Sequence, residues 1–174
     1  MATISRKGFG QVEPNHLSAQ RTAQSYAQLP CDSSIKVLEN GQFVKYDLAA
    51  GKVALTGNGE YMLVFNEVKL YEDREMYKDF ALKADDAVDG VIVPRVLKTN
   101  IGDIYTTNCV GGAVASKDGS YVGIALVEGD LLKVDATGYL VKASALADAD
   151  MIWQVAKVYT MADGQPAVKI VRVK

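Results

Sequence analysis

From Ile35 onward, apolar and polar side chains alternate over runs too short for helices, and the runs stop at Gly, Asn or Asp. Period-two patterning bounded by such turn residues predicts β-strands. Phe43-Val44-Lys45-Tyr46 and Val53-Ala54-Leu55 flank a turn at Ala49-Ala50-Gly51, and Gly57-Asn58-Gly59 supplies an Asn-Gly pair suited to the positive φ of a tight hairpin. Tyr61 to Phe65 is unbroken enough to be buried on both faces, whereas Glu67 to Tyr71 alternates as a half-exposed strand does. Glu72 to Lys83 mixes charges with Met76, Tyr77, Phe80 and Leu82, and reads as a helical turn or loop covering one end of the body. Further runs lie at Val91 to Leu97, Asp103 to Thr107, Tyr121 to Val127, Leu131 to Val134, Tyr139 to Val141, Ile152 to Tyr159 and Ala167 to Val173. With no long amphipathic helix between them, they predict an all-β protein of small antiparallel barrel or sandwich units.

The leading segment reads differently. Gln11 to Pro30 is rich in Gln, Ser, Ala, Asn and Thr, and its sizeable apolar side chains are Val12, Leu17, Tyr26 and Leu29. A helix from Pro14 to Gln28, capped by Asn15, has too thin an apolar stripe to hold it in a core. Extended at about 3.3 Å per residue, residues 1–33 reach on the order of 100 Å. The segment predicts an arm that needs an outside surface, with a frayed terminus as the alternative. On this reading, removing Met1 to Pro30 leaves a folded body.

An internal repeat organises that body. Gly41-Gln42-Phe43-Val44-Lys45-Tyr46-Asp47 matches Gly129-Asp130-Leu131-Leu132-Lys133-Val134-Asp135, each closely preceded by a glutamate and followed by a second glycine, Gly51 or Gly138. Gly, polar, two apolar, Lys, apolar, Asp is what a sharply bent hairpin needs if its Asp is to cap the turn backbone. Recurrence of a common hairpin pattern is the alternative to true duplication. The division is an arm over 1–33, a first β unit over 34–98 and a second over 99–174, with packing of the two units as one compact domain as the alternative.

Composition removes several classes of function. The 19 basic and 21 acidic residues leave a net charge of -2, with no cationic excess to neutralise phosphates, so nucleic acid is not an expected partner. Charged residues interrupt every apolar run well before the roughly 20 residues of a membrane helix, and no membrane partner is expected. The single histidine, His16, lies in the polar segment, so no Ser-His-Asp or Cys-His grouping can form without that segment. Cys31 and Cys109 read as two reduced thiols, and Asp85-Asp86 to Asp89-Gly90 as an acidic loop without calcium-loop spacing. Gly8-Phe9-Gly10 and Gly111-Gly112-Ala113 lack the flanking strand, Lys-Ser/Thr or helix of a phosphate loop. No cofactor and no metal is expected. Trp153, within Ile152-Trp153-Gln154-Val155, predicts a core or interface position rather than a sugar platform.

Val12-Glu13-Pro14-Asn15-His16-Leu17-Ser18-Ala19-Gln20-Arg21-Thr22, then Tyr26 to Pro30 and Leu38 to Asp47, resembles the start of small capsid-associated proteins of tailed bacteriophages. The hairpins and the stretch Ile101 to Asn108 are similar to head decoration (cement) proteins and to head-fibre base proteins. The resemblance covers most of the chain as texture. It implies a non-enzymatic virion protein on the outer capsid surface, with the major capsid protein as partner and a further copy or a head-fibre protein as others. The contact would be carried by Val12, Pro14, Asn15, His16, Leu17, Arg21, Tyr26, Leu29 and Pro30. Two other readings stand beside it. A tail or fibre module binding a host glycan predicts exposed aromatics around Tyr105, Tyr121 or Tyr139, while a carboxylate hydrolase predicts an acidic pair at residues such as Asp103 or Asp130. The decoration reading instead predicts exposed apolar surface near the arm.

Overall fold

The computed structural model describes residues 2–14, 25–66, 80–112 and 120–174. Its strands are β1 (Ala2–Lys7), β2 (Val12–Pro14), β3 (Ser25–Tyr26), β4 (Val37–Glu39), β5 (Phe43–Asp47), β6 (Lys52–Ala54), β7 (Tyr61–Val64), β8 (Ala81–Lys83) and β9 (Val96–Leu97). They continue with β10 (Ile104–Thr107), β11 (Ser120–Leu126), β12 (Leu131–Val134), β13 (Leu140–Ala143), β14 (Ile152–Thr160) and β15 (Pro166–Arg172). The helical pieces among the described residues are two 3-10 turns, Ala84–Asp86 and Val88–Gly90. A six-stranded sheet runs β13-β12-β14-β15-β10-β2 and a five-stranded sheet runs β3-β9-β7-β5-β6, with ribbons β1-β11 and β4-β8 beside them. Both larger sheets have free ends in their strand order, so the fold is all-β and antiparallel but no sheet closes into a barrel.

The two sheets meet face to face through side chains that alternate across the pleat. In β5, Phe43 belongs to one core cluster and Val44 and Tyr46 to another; in β7, Leu63 and the pair Met62 and Val64 divide the same way. The five-stranded sheet is thus covered on both faces, as the unbroken run Tyr61 to Phe65 predicts. On the shared face Trp153 is fully buried, its ring 5.7 Å from Phe43 and 5.8 Å from Tyr105. A core filled jointly by Phe43 and Leu63 from 34–98 and by Leu132, Trp153 and Ile170 from 99–174 ties the two stretches together.

The N-terminal segment differs most from expectation. Far from reaching outward, β1 pairs with β11, and β2 becomes the edge strand beside β10. Ile4 and Phe9 are 1% and 2% exposed, and Val12 joins the main core. The helix considered for Pro14 to Gln28 lies mostly outside the described residues; in β1 a strand buries alternate residues, and Ile4 and Arg6 both point inward. Tyr26 likewise pairs across to Val96 in β3-β9. The sites expected at Asn15, His16, Leu17 and Arg21, the strand at Glu67 to Tyr71 and most of Glu72 to Lys83 lie outside the described residues.

The repeat forms two matching hairpins. Asp47 Oδ1 accepts from the Ala49 and Ala50 amides, and Asp135 Oδ1 accepts from those of Thr137 and Tyr139. Each strand also begins with the same turn, and that turn occurs a third time. In Glu39 to Gln42, Asn100 to Asp103 and Val127 to Asp130, the fourth residue's amide donates to the first residue's carbonyl. Its side chain accepts in return from the first residue's amide, at 3.1, 2.7 and 2.9 Å. The glycine between, Gly41, Gly102 or Gly129, takes φ of 93, 94 or 90°, where a Cβ is strongly disfavoured. Its amide bonds a neighbouring strand, and the fourth residue's carbonyl accepts from that same residue of Val64, Arg172 or Val155.

The Asn-Gly pair at 58–59 does not make a tight hairpin. β6 and β7 both pair with β5, one on each side, so residues 55–60 carry the chain past it. A Cβ on Gly59 would lie 2.6 Å from the Tyr46 carbonyl oxygen, which is why glycine stands at that passage.

Candidate functional site

The largest concentration of polar chemistry is a buried cluster where the N-terminal segment meets both sheets. Arg6 and Glu39 are 4% and 1% exposed and form an ion pair at 3.0 Å. Glu39 Oε2 also accepts from the Gly10 amide at 2.6 Å, and Oε1 from the Tyr139 hydroxyl at 2.8 Å. Arg6 donates to the Gly112 carbonyl and lies 5.8 Å from the Tyr139 ring centre. Gln42 extends the network by donating to the Thr137 carbonyl at 2.7 Å. Burial opposes the Arg6 charge, but Cys109, Glu39 and Tyr139 outweigh it and hold the guanidinium above its ordinary pKa.

The same surroundings suppress reactivity. Burial, reinforced by Glu39, pushes the Cys109 thiol up to about 12 despite Arg6, the reverse of what an activated nucleophile needs. Burial also raises the Tyr139 phenol, helped by the charges of Cys109 and Glu39. Cys31 is pushed up to about 12 by burial and Asp32, and neither thiol is bonded to the other. The cluster can therefore join segments, but its protons are held in place.

Asp103 is 1% exposed and closes the Asn100 turn, while Asp130 closes the Val127 turn and pairs with Lys142 at 3.0 Å. The hydrogen bond from Val127 is the main cause holding Asp130 below its usual range, so it stays a carboxylate with a structural task. A broad open cleft beside β6 contains Asp32 and Asp47. Asp32 is bonded to Lys52 and Ser34, and Asp47 to its own turn. Among the described residues no three His, Cys, Asp or Glu side chains gather as metal ligands.

Tyr105 and Tyr139 are 2% and 3% exposed, so neither offers the aromatic platform a glycan-binding face would need; the Tyr121 side chain lies outside the described ones. Of the residues expected to meet a capsid, Val12 is in the core, Pro14 pairs with Tyr105 in the sheet and Leu29 packs on the second cluster. Pro30 holds β6 by accepting from the Val53 amide. Among the described residues the exposed large apolar side chains are Leu48, Ile101 and Leu146, set apart from one another in the sequence, and a group of four at Val37, Val88, Val91 and Val93. Sequence patterning missed this grouping because Val91 to Leu97 reads as one strand, whereas only Val96–Leu97 pairs as one. No family model, curated protein or solved structure matches the chain.

Proposed function

We propose that this chain is a passive structural protein of a tailed-phage head, bound to the outside of the capsid shell. The observation that carries the reading is the contrast between inside and surface. Among the described residues, Arg6, Glu39, Cys109 and Tyr139 are buried and joined in one strand-locking cluster, while four of the seven exposed large apolar side chains lie at 37 and 88–93, beside the chain that leads from β3. Cys31 donates its amide to the Ile92 carbonyl at 2.7 Å, and Lys83 lies 5.4 Å from the Phe9 ring, so this surface adjoins both described parts of the leading segment. Apolar exposure in that neighbourhood is what the decoration reading calls for, and the burial of Tyr105 and Tyr139 takes two of its three aromatics from the glycan reading.

The role of the leading segment changes with it. Residues 2–14 act as strands that lock the body, and docking falls to the folded surface. The test is co-sedimentation of the purified full chain with empty shells of the phage that encodes it. Saturable binding to the shell exterior supports the reading; no binding at micromolar concentrations refutes it.

A further inference from the structure

We infer that Val37, Val88, Val91 and Val93 form the docking face, and that it takes a protein surface whose apolar side chains are bordered by Lys or Arg. The inference rests on the proposed capsid role and assigns it a site. The four valines are 38, 85, 47 and 47% exposed. Val91 and Val93 line a groove of about 260 Å³ together with Phe80, Leu82 and Ile92; Val88 follows its lining residues Asp86 and Ala87, and the Val37 and Lys83 pairing of β4 and β8 sets Val37 at its edge. Asp89 and Gly90 hold successive positive φ values of 56 and 69°, a tight reversal that lifts Val88 clear of the body. Exposed valine at the tip of a constrained turn loses little conformational freedom on binding, which favours a contact role.

Charge selects the occupant. Asp85, Asp86 and Asp89 are exposed on the two 3-10 turns that carry Val88. Among the described residues the nearby cations are Lys36, exposed beside Val37, Lys83, drawn over Phe9, and the part-buried Arg95 two residues beyond Val93. A second copy would present the same rim, in which three aspartates outnumber two lysines among the described residues, and so is a poorer electrostatic match than a basic surface. An anionic membrane or nucleic acid would be repelled by the same aspartates. A partner presenting apolar side chains within a basic rim satisfies both parts of the surface.

The experiment measures binding of the full chain to purified empty shells at several salt concentrations. Val88→Asp with Val91→Asp should leave the thermal melt unchanged, because both side chains are exposed, and weaken shell binding about tenfold or more. Asp85→Lys with Asp86→Lys should weaken binding several-fold and flatten its salt dependence. Wild-type binding equalled by the valine variant overturns this site and leaves the capsid role standing. Failure of the wild type to bind removes the capsid role and this inference with it. A valine variant that binds shells normally but loses self-association overturns the choice of occupant.

Discussion

Glu39→Gln tests whether the buried ion pair holds the N-terminal strands in place. Glutamine keeps the size but only one of the two acceptor oxygens that serve Gly10 and Tyr139, so the change removes the charge together with one acceptor. Arg6 would then remain charged in a site where it is 4% exposed, facing an uncharged partner. Breaking one side of a buried pair costs about 3–5 kcal/mol. For a domain of this size each kcal/mol shifts the melting temperature by roughly 2–4 °C, so the variant should melt about 6–20 °C below wild type. Arg6→Met should cost a similar amount by stranding Glu39. The double variant should recover much of the loss, because it removes both charges together. Circular dichroism melts of the four proteins complete the cycle. If Glu39→Gln lies within about 1 kcal/mol of wild type, or if the two losses simply add, the pair is not a coupled, dehydrated lock.

Gly10→Ala should destabilise by about 1–3 kcal/mol in denaturant titration, since the new Cβ would collide with Arg6 Nη1 and stand 2.7 Å from Cys109 Sγ and 2.8 Å from Glu39 Oε2; adding Cys109→Ala should recover only the part due to the thiol. Removal of residues 1–14 should leave a chain that binds hydrophobic dyes and resists proteolysis poorly, because it strips Ile4, Phe9 and Val12 from the core; a truncated protein as stable as wild type would contradict the strand assignment. Cys109, raised to about 12, should resist maleimide at pH 8 until the protein is unfolded. The same shift gives a stability trend: the unfolded thiol ionises near 9 and the folded one does not, so stability is full below pH 9 and falls as pH climbs toward 12. Asp103→Ala should cost about 1–3 kcal/mol by leaving the Asn100 amide without its acceptor, measurable as a lower midpoint in urea.

The strands themselves were legible because their signals are local. Gly41 and Gly129 open strands, Asp47 and Asp135 cap the hairpins that follow, and the Tyr61 to Phe65 run is buried on both sides. The third turn, at Gly102 and Asp103, went unmatched because β10 is followed by no hairpin and its Thr106 and Thr107 replace the Lys and apolar positions of the other copies. What local pattern does not carry is partner choice. Ile4 and Val12 stand as isolated apolar positions until β11 and β10 supply the other side, and Arg6 looks like a surface cation until Glu39 meets it. Asn58-Gly59 announced a hairpin, but whether the next strand returns beside its predecessor or crosses to the far side of β5 depends on the whole sheet. The apolar face at 88–93 is set by turns that leave valines unpartnered, which a run of β-branched residues conceals.

The pairing of β1 with β11 also bears on how the chain is made. Ribosomes deliver the first strand well before its mate at Ser120–Leu126, an interval on the order of ten seconds at ~5–20 residues per second. Throughout that wait its backbone amides and carbonyls have no sheet to join, and neighbouring nascent chains on one message carry the same unmatched edge. Slow elongation or high expression should therefore favour entangled aggregates over native protein, and a helper that shields β1 until Ser120–Leu126 is made should improve the yield.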